Sequence, residues 1–116
     1  MKTAKIGIKD LKVHTIIGTN ADERVNKQEI IINIEIETDI SQAIISDDNK
    51  DTVDYYHLTN EITQFVNNSN FYLIERLSYF ILKLIMKHEN IIKAYVRLDK
   101  PNALPDATSA FVEIHS

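Results

Sequence analysis

Four side chains in this sequence are suited to proton transfer and to holding a polar ligand: Lys100, Glu23, Tyr55 and Glu75. Lys100 follows a predicted strand and precedes Pro101, which restricts the turn and so holds the lysine backbone in place. Glu23 lies in a turn-rich loop, a kind of segment that commonly carries function, and Tyr55 opens a predicted helix. An amine, a carboxylate and a phenol could exchange protons with a substrate. Taken singly, each is also typical of a solvated strand end, a polar loop or a packing residue.

Glu75 stands in a helix that carries two apolar stripes. At about 100° of rotation per residue, one broad face should pack on the core, and a second row runs from Glu75 through Tyr79, Leu82 and Met86. A helix that is apolar nearly all round is normally buried, so the second row is expected to meet another subunit or to line a pocket. A carboxylate there needs donors, either a protein cation or the N–H groups of a bound molecule. The alternative is an exposed first-turn glutamate that complements the helix dipole. The predicted core face comprises Leu73, Ile74, Leu77, Phe80, Ile81, Leu84 and Ile85.

The amino-acid composition limits the classes of protein to which this chain can belong. The 116 residues are 44% apolar with two Gly and two Pro, which indicates a compact chain with one core. The formal charge of -4 and the lack of a basic cluster argue against nucleic-acid binding. No apolar run is long enough to span a membrane and no signal-peptide pattern opens the sequence, so a cytoplasmic location is expected.

Several chemistries are excluded by residue type. Without cysteine there is no disulfide, thiolate nucleophile or Cys-ligated metal. The four histidines are scattered rather than closely spaced, so no metal site is predicted. No Gly-rich phosphate loop or nucleophile elbow is present either, which disfavours P-loop and acyl-enzyme chemistry.

Alternation of apolar and polar residues predicts four one-sided strands. The alternation is clearest over 29–38 and recurs over 91–99 and 110–114. Near the start the parity switches around Lys9-Asp10, which predicts a strand that contains a bulge and runs to about Ile17. In the third strand the pattern puts four residues on the core side: Ile92, Ala94, Val96 and Leu98.

Helical spacing predicts two helices between the strand pairs, one beginning near Val53 and the other over 73–86, after a short helical turn at 40–45. The order is β-β-α-α-β-β, an α+β fold with both helices on one face of an antiparallel sheet, in a single domain over 1–116. The edges of such a sheet must be paired or hidden. Together with the second apolar stripe, this predicts a homo-oligomer.

Four stretches resemble the family of dihydroneopterin aldolases and dihydroneopterin triphosphate epimerases, in family order and spacing over essentially the whole chain. The stretches are Ile17-Gly18 with Glu23 and Gln28 after it, Asp51-Thr52-Val53-Asp54-Tyr55, Leu73-Ile74-Glu75-Arg76-Leu77 and Asp99-Lys100-Pro101-Asn102-Ala103. The resemblance implies a tunnelling fold, in which four subunits join sheet edges into a sixteen-stranded barrel and two such rings stack into an octamer. It also implies active sites between neighbouring subunits.

The resemblance further implies a role for each candidate residue. Glu75 would hold the 2-amino and N3-H groups of a pterin ring, which would supply the donors its carboxylate needs. Backbone groups around Val53 and Leu73-Ile74 would hold the rest of the ring edge. Tyr55 of an adjacent subunit would close over the pterin and help deliver a proton, Lys100 would be the main general acid and base, and Glu23 would hold the side-chain hydroxyls.

The implied reaction is that of an aldehyde-lyase in folate biosynthesis, cleaving 7,8-dihydroneopterin into 6-hydroxymethyl-7,8-dihydropterin and glycolaldehyde. The C=N group of the dihydropterin can accept the electrons of the breaking bond, so no cofactor is predicted. Re-addition with opposite stereochemistry would give C2′ epimerisation. A dihydroneopterin triphosphate epimerase is the alternative, for which Arg24 and Lys27 are candidate phosphate-binding cations, and a non-catalytic pterin-binding ring is a further one.

Overall fold

The computed structural model describes residues 1–116, and its element order agrees with the sequence prediction. The strands are β1 (Thr3–Thr15), β2 (Gln28–Asp39), β3 (Ile91–Lys100) and β4 (Ala110–His115), and the helices are α1 (Ala43–Ser46), α2 (Tyr55–Asn67) and α3 (Ile74–Met86). A 3-10 turn at Asn49–Asp51 lies between α1 and α2. No helix is long and apolar enough to cross a membrane.

The sheet is antiparallel throughout, in the order β1-β2-β3-β4, so β1 and β4 are its edge strands. Both long helices cover one face, with α2 over β1 and α3 over β3 and β4. The core lies between sheet and helices and includes Ile30, Ile32 and Ile34 of β2, each at most 1% exposed. The predicted α+β class and helix placement are therefore confirmed. Assembly into a barrel remains a prediction.

The bulge predicted in β1 is present. The register of β1 against β2 shifts between Ile8 and Leu11, and Asp10 has a φ of 55°. Asn33 of β2 stabilises this turn of the backbone, because its Oδ1 accepts from the Asp10 amide at 2.9 Å and its Nδ2 donates to Asp10 Oδ1 at 3.2 Å. The strand ends at Thr15 rather than near Ile17, because the pairing stops where Thr15 meets Gln28, the first residue of β2.

A second irregularity makes one strand prediction wrong. The register of β2 against β3 shifts between Glu37 and Thr38, so that Thr38 pairs with Ile91 and Glu37 with Lys93. Ile91 is therefore 6% exposed on the core side, whereas Ile92, predicted there, is 42% exposed. A strict two-residue period cannot represent this extra residue.

The core face of α3 is narrower than predicted. Leu77, Ile81 and Ile85 are fully buried, as expected, but Leu73 is 51% exposed. Leu73 is the N-cap residue, with φ −115° and ψ 136°, and so does not follow the helical rotation. Ser78 is buried instead, with its Oγ donating to the carbonyl oxygen of Glu75 at 2.9 Å.

The second stripe of α3 divides between core and surface. Leu82 and Met86 pack against the edge of the core, whereas Tyr79 is 51% exposed. Glu75 is also exposed, and its carboxylate has no hydrogen bond or ion pair within the chain. The carboxylate is free to take donors from outside the subunit.

Candidate active site

The fold brings Lys100 and Glu23 into direct contact. Lys100 is the last residue of β3, and Glu23 lies in the loop that joins β1 to β2. Lys100 Nζ is 2.5 Å from Glu23 Oε2, and the two side chains are only 14% and 17% exposed. An ion pair this shielded from water keeps more of its electrostatic strength than a surface pair. The amine and the carboxylate therefore form one shielded ionic unit at the end of β3.

Two further groups hold the Glu23 carboxylate. The Asn20 amide donates to Oε1 at 3.2 Å, and Gln28 Nε2 donates to Oε2 at 3.0 Å. Gln28 Nε2 also donates to the Ile17 carbonyl oxygen at 2.8 Å, which fixes its amide. The hydrogen bond from Lys100, followed by that from Gln28, lowers the pKa of Glu23 from 4.5 to about 2. Glu23 is thus an anion at neutral pH.

Gly18 makes room for this carboxylate. Its φ is +120°, a conformation that L side chains rarely adopt. A Cβ atom at this position would overlap the carboxylate group of Glu23. The β1–β2 loop therefore needs glycine here for two separate reasons, backbone conformation and close approach.

A polar concavity of about 460 Å³ opens over the pair. Its lining includes both members of the pair and the amide side chains of Gln28 and Asn102. Lys27 also lines it, although Lys27 Nζ donates to the carbonyl oxygen and Oδ1 of Asn67 at 2.9 and 3.0 Å. The volume and the polar lining suit the hydroxylated part of a small ligand.

The end of β3 is fixed from the other face of the sheet. Arg97 Nε donates to Asp99 Oδ1 at 2.8 Å, and Ser109 Oγ donates to Asp99 Oδ2 at 2.6 Å. The guanidinium of Arg97, with smaller help from Ser109, lowers the pKa of Asp99. These contacts join the start of β4 to the residue that precedes Lys100, so the amine projects from a rigid support.

The predicted ring-binding residues at the start of α3 lie at the same end of the molecule. Leu73 and Ile74 open α3, and Glu75 is in its first turn. The connection that leads into them contacts the β1–β2 loop, because Arg24 donates to the carbonyl oxygens of Asn70 and Phe71 at 2.7 and 3.0 Å. The Glu75 carboxylate, the backbone of Leu73–Ile74 and the Glu23–Lys100 pair therefore lie at one end of the subunit.

Val53 and Tyr55 lie at the opposite end. Asn90, after the end of α3, donates through Nδ2 to the carbonyl oxygen of Thr52, before the start of α2, at 3.4 Å, so the helices run antiparallel and the start of α2 adjoins the end of α3. With 13 residues per helix, Tyr55 is about 20 Å along the helix axis from the start of α3. Val53 is buried, whereas Tyr55 is 63% exposed. A single subunit does not bring these two residues to Lys100.

The structure also shows contacts of two residues that the sequence does not predict. Gln28 stands in the sequence only within a stretch that resembles the family, and Arg24 is only a candidate phosphate-binding cation. All three hydrogen bonds from the Arg24 guanidinium go to backbone carbonyls, so it does not face the concavity. One signal was available for Gly18, since the chain has only two glycines and this one lies in the loop that carries Glu23.

Known proteins resemble this chain in sequence and in fold. A dihydroneopterin triphosphate 2′-epimerase from Pseudomonas aeruginosa is 34% identical over 96% of this chain and 90% of its own length. The crystal structure of Escherichia coli dihydroneopterin aldolase in complex with neopterin has a TM-score of 0.93 and 27% identity, covering 97% of this chain and 98% of that one. A Vibrio cholerae structure described as a dihydroneopterin aldolase has a TM-score of 0.94 and 30% identity, covering 100% and 98%. The model of the FolB dihydroneopterin aldolase family matches residues 6–115. This chain therefore belongs to the FolB dihydroneopterin aldolase family, whose members act on dihydropterins in folate synthesis.

Proposed function

We propose that this protein is a dihydroneopterin aldolase that cleaves 7,8-dihydroneopterin into 6-hydroxymethyl-7,8-dihydropterin and glycolaldehyde. The observation that carries the proposal is the shielded contact of 2.5 Å between Lys100 Nζ and Glu23 Oε2 beside a polar concavity. A retro-aldol reaction needs a group that takes a proton from one hydroxyl and returns it elsewhere. An amine held by a carboxylate is suited to that task.

In the proposed reaction the Lys100 ammonium first releases a proton to water, and the neutral amine then takes the proton of the 2′-hydroxyl while Glu23 orients the side-chain hydroxyls. The electrons of the C1′–C2′ bond move into the C=N group of the dihydropterin, and the 2′ carbon leaves as the aldehyde carbon of glycolaldehyde. C1′ then takes a proton, which completes the hydroxymethyl product. Tyr55 is the proposed source of that proton, since a phenol can act as a general acid.

The proposed ring site lies at the start of α3. Glu75 would accept the 2-amino and N3-H donors of the pterin, and the backbone of Leu73 and Ile74 would hold the neighbouring ring atoms. Support comes from the exposure of the Glu75 carboxylate and its lack of a partner in the subunit. Two parallel hydrogen bonds to a carboxylate are directional as well as strong.

Val53 and Tyr55 would reach the site from an adjacent subunit. Their place at the far end of the protomer and the 63% exposure of Tyr55 favour this arrangement over one within a single chain. The strands β1 and β4 each have an unpaired edge, and joining these edges between subunits would satisfy the free backbone groups. An octamer of two tetrameric barrels is the proposed assembly.

A second candidate function is dihydroneopterin triphosphate 2′-epimerase, the activity that names the Pseudomonas aeruginosa relative. It would use the same bond cleavage, followed by re-addition to the opposite face of the aldehyde. The charges around the concavity favour the substrate without phosphates. Arg24 is bound to carbonyls, Lys100 is paired with Glu23, and Lys27 Nζ donates to Asn67.

One assay separates these activities. Dihydroneopterin and its triphosphate are offered to the protein side by side, and the pterin products and glycolaldehyde are quantified separately. The aldolase proposal expects glycolaldehyde and hydroxymethyl-dihydropterin from dihydroneopterin at the higher kcat/KM. Epimer formation from the triphosphate without release of 6-hydroxymethyl-7,8-dihydropterin would establish the epimerase instead, and turnover of neither substrate would indicate a non-catalytic pterin-binding ring.

A further inference from the structure

Resting on the function proposed above, we propose that Arg24 is a positioning residue that sets the distance between the proton-exchanging pair and the ring-binding segment. Arg24 follows Glu23 directly in the chain, yet its side chain leaves the concavity and bonds to the connection between α2 and α3. It touches neither Lys100 nor the concavity. Its effect on the reaction would therefore act through the two segments that it joins.

The Arg24 guanidinium is bound on both sides. Nη1 donates to the Gly18 carbonyl oxygen at 3.1 Å and to that of Phe71 at 3.0 Å, and Nη2 donates to that of Asn70 at 2.7 Å. The guanidinium carbon lies 3.8 Å from the centroid of the Tyr72 ring. A planar group with several donors can form such a fork and stack at once, which a lysine cannot do.

Both partners of this fork adjoin proposed substrate contacts. Gly18 is the residue against which the Glu23 carboxylate packs, so its backbone position determines where that carboxylate lies. Phe71 and Tyr72 immediately precede Leu73, the N-cap of α3. A shift of the fork would move Glu23 relative to Glu75 without breaking a contact of either.

No other side chain donates to the backbone of residues 70–73. Two other side chains bond to the connection between α2 and α3, but at earlier residues. Lys27 donates to Asn67, and Thr15 Oγ1 donates to the Ser69 carbonyl oxygen at 3.0 Å. The Phe71 ring stacks on Phe80 of α3 with centroids 5.5 Å apart, which anchors the connection to α3 but not to the β1–β2 loop. Arg24 is thus the side-chain link between the two segments at this point.

The substrate makes this distance important. A dihydroneopterin molecule would be held by its ring at residues 73–75 while its triol chain reaches Glu23 and Lys100. A rigid bicyclic ring cannot adjust its length, and a displacement of about 1 Å at the reacting atoms can cost about a hundredfold in rate. The affinity of a ligand that has the ring edge but no triol chain would not change with this displacement.

The test compares a ring-only ligand with a full-length one. Guanine shares the amino and N–H edge of the pterin, whereas neopterin adds the triol chain. For Arg24→Gln we expect guanine affinity within threefold of wild type, neopterin affinity weaker by tenfold or more, and kcat for dihydroneopterin lower by tenfold or more. Arg24→Lys keeps the charge without the fork, and it should show the same split in smaller measure.

The control for lost stability is Ile36→Val, which removes a methyl group from a core position 2% exposed in β2, away from both segments. Ile36→Val should bind guanine and neopterin as wild type does, even if its melting temperature is lowered as much as that of Arg24→Gln. If Arg24→Gln does not assemble, Arg24→Lys provides the comparison.

Two results would overturn the proposal for Arg24: wild-type affinities and kcat in Arg24→Gln, or equal weakening of guanine and neopterin. Failure of the proposed function is a different outcome. In that case the wild-type protein itself would neither bind neopterin nor turn over dihydroneopterin.

Discussion

The two ends of this subunit differ in how far their functional side chains are held by contacts within the chain. At one end Glu23 is hydrogen-bonded by Asn20, Gln28 and Lys100, and the Glu23–Lys100 pair is largely shielded from water. At the other end Tyr55 is 63% exposed and its neighbour Tyr56 is 74% exposed. The first end is organised by the chain alone, whereas the second leaves aromatic side chains exposed. The comparison suggests a site whose Lys100–Glu23 pair is built into one subunit and whose proposed second proton donor, Tyr55, comes from another.

The largest expected effect comes from removing the amine of the organised end. Lys100→Ala should lower glycolaldehyde release from dihydroneopterin by about 10² to 10⁴-fold, since that is the usual contribution of a positioned acid or base. The oligomer should remain intact. Lys93→Ala, an exposed lysine of the same strand, serves as the control. Near-normal turnover by Lys100→Ala would remove Lys100 from the mechanism.

A second variant disturbs the same end without removing any functional group. Gly18→Ala forces a Cβ atom into the Glu23 carboxylate at a φ of +120°, so we expect kcat/KM to fall by about 10². The matched control is Gly7→Ala, because a Cβ atom there would lie 3.4 Å from the Ile34 carbonyl oxygen, an ordinary contact. Equal activity of the two alanine variants would contradict the proposed close approach.

Glu75, the proposed anchor of the pterin ring, should contribute more to binding affinity than to kcat. Glu75→Ala is expected to weaken neopterin binding by about 1.5 to 3 kcal/mol, the range for a hydrogen bond to a charged group. Calorimetry measures this directly. Glu35→Ala, an exposed carboxylate on the opposite face of the sheet, should bind as wild type does. Unchanged affinity in Glu75→Ala would end the anchor assignment.

The smallest effect concerns stability against pH. The pKa of Glu23 is lowered from 4.5 to about 2 by its bonds to Lys100 and Gln28. Its contribution to folding is therefore complete above pH 4.5 and is lost as the pH falls toward 2. In denaturant titrations the unfolding free energy of wild type should fall by about 1 to 3 kcal/mol more over that range than that of Glu23→Gln. Parallel curves for the two proteins would refute the coupling.

Much of the fold follows from local patterns in the sequence. The isoleucines of β2 alternate without interruption, and all four that were expected inside are buried: Ile30, Ile32, Ile34 and Ile36. The third strand shows the limit of this method, because an irregular pairing at Thr38 exposes Ile92 in place of Ile91. The sequence of β3 alone does not predict this bulge, because the bulge depends on how β2 and β3 pair.

The candidate site was harder to predict than the fold. Lys100 and Glu23 were both selected from the sequence as proton-transfer groups, but their contact depends on how β3 ends beside the β1–β2 loop. The contacts of Arg24 could not be predicted from the sequence, because its partners are backbone carbonyls, which any residue supplies. The distance of Tyr55 from Lys100 follows from the antiparallel helices, which only the three-dimensional arrangement makes apparent.

Mixed oligomers test most directly whether the two ends meet between subunits. Lys100→Ala and Tyr55→Phe are each prepared as nearly inactive proteins, then unfolded and reassembled together, with mixing confirmed by native mass spectrometry. If each site takes Lys100 from one subunit and Tyr55 from its neighbour, random assembly restores about a quarter of the sites, and glycolaldehyde release should return to about that fraction of wild type. Mixed oligomers that remain as inactive as the separate variants would contradict the shared site.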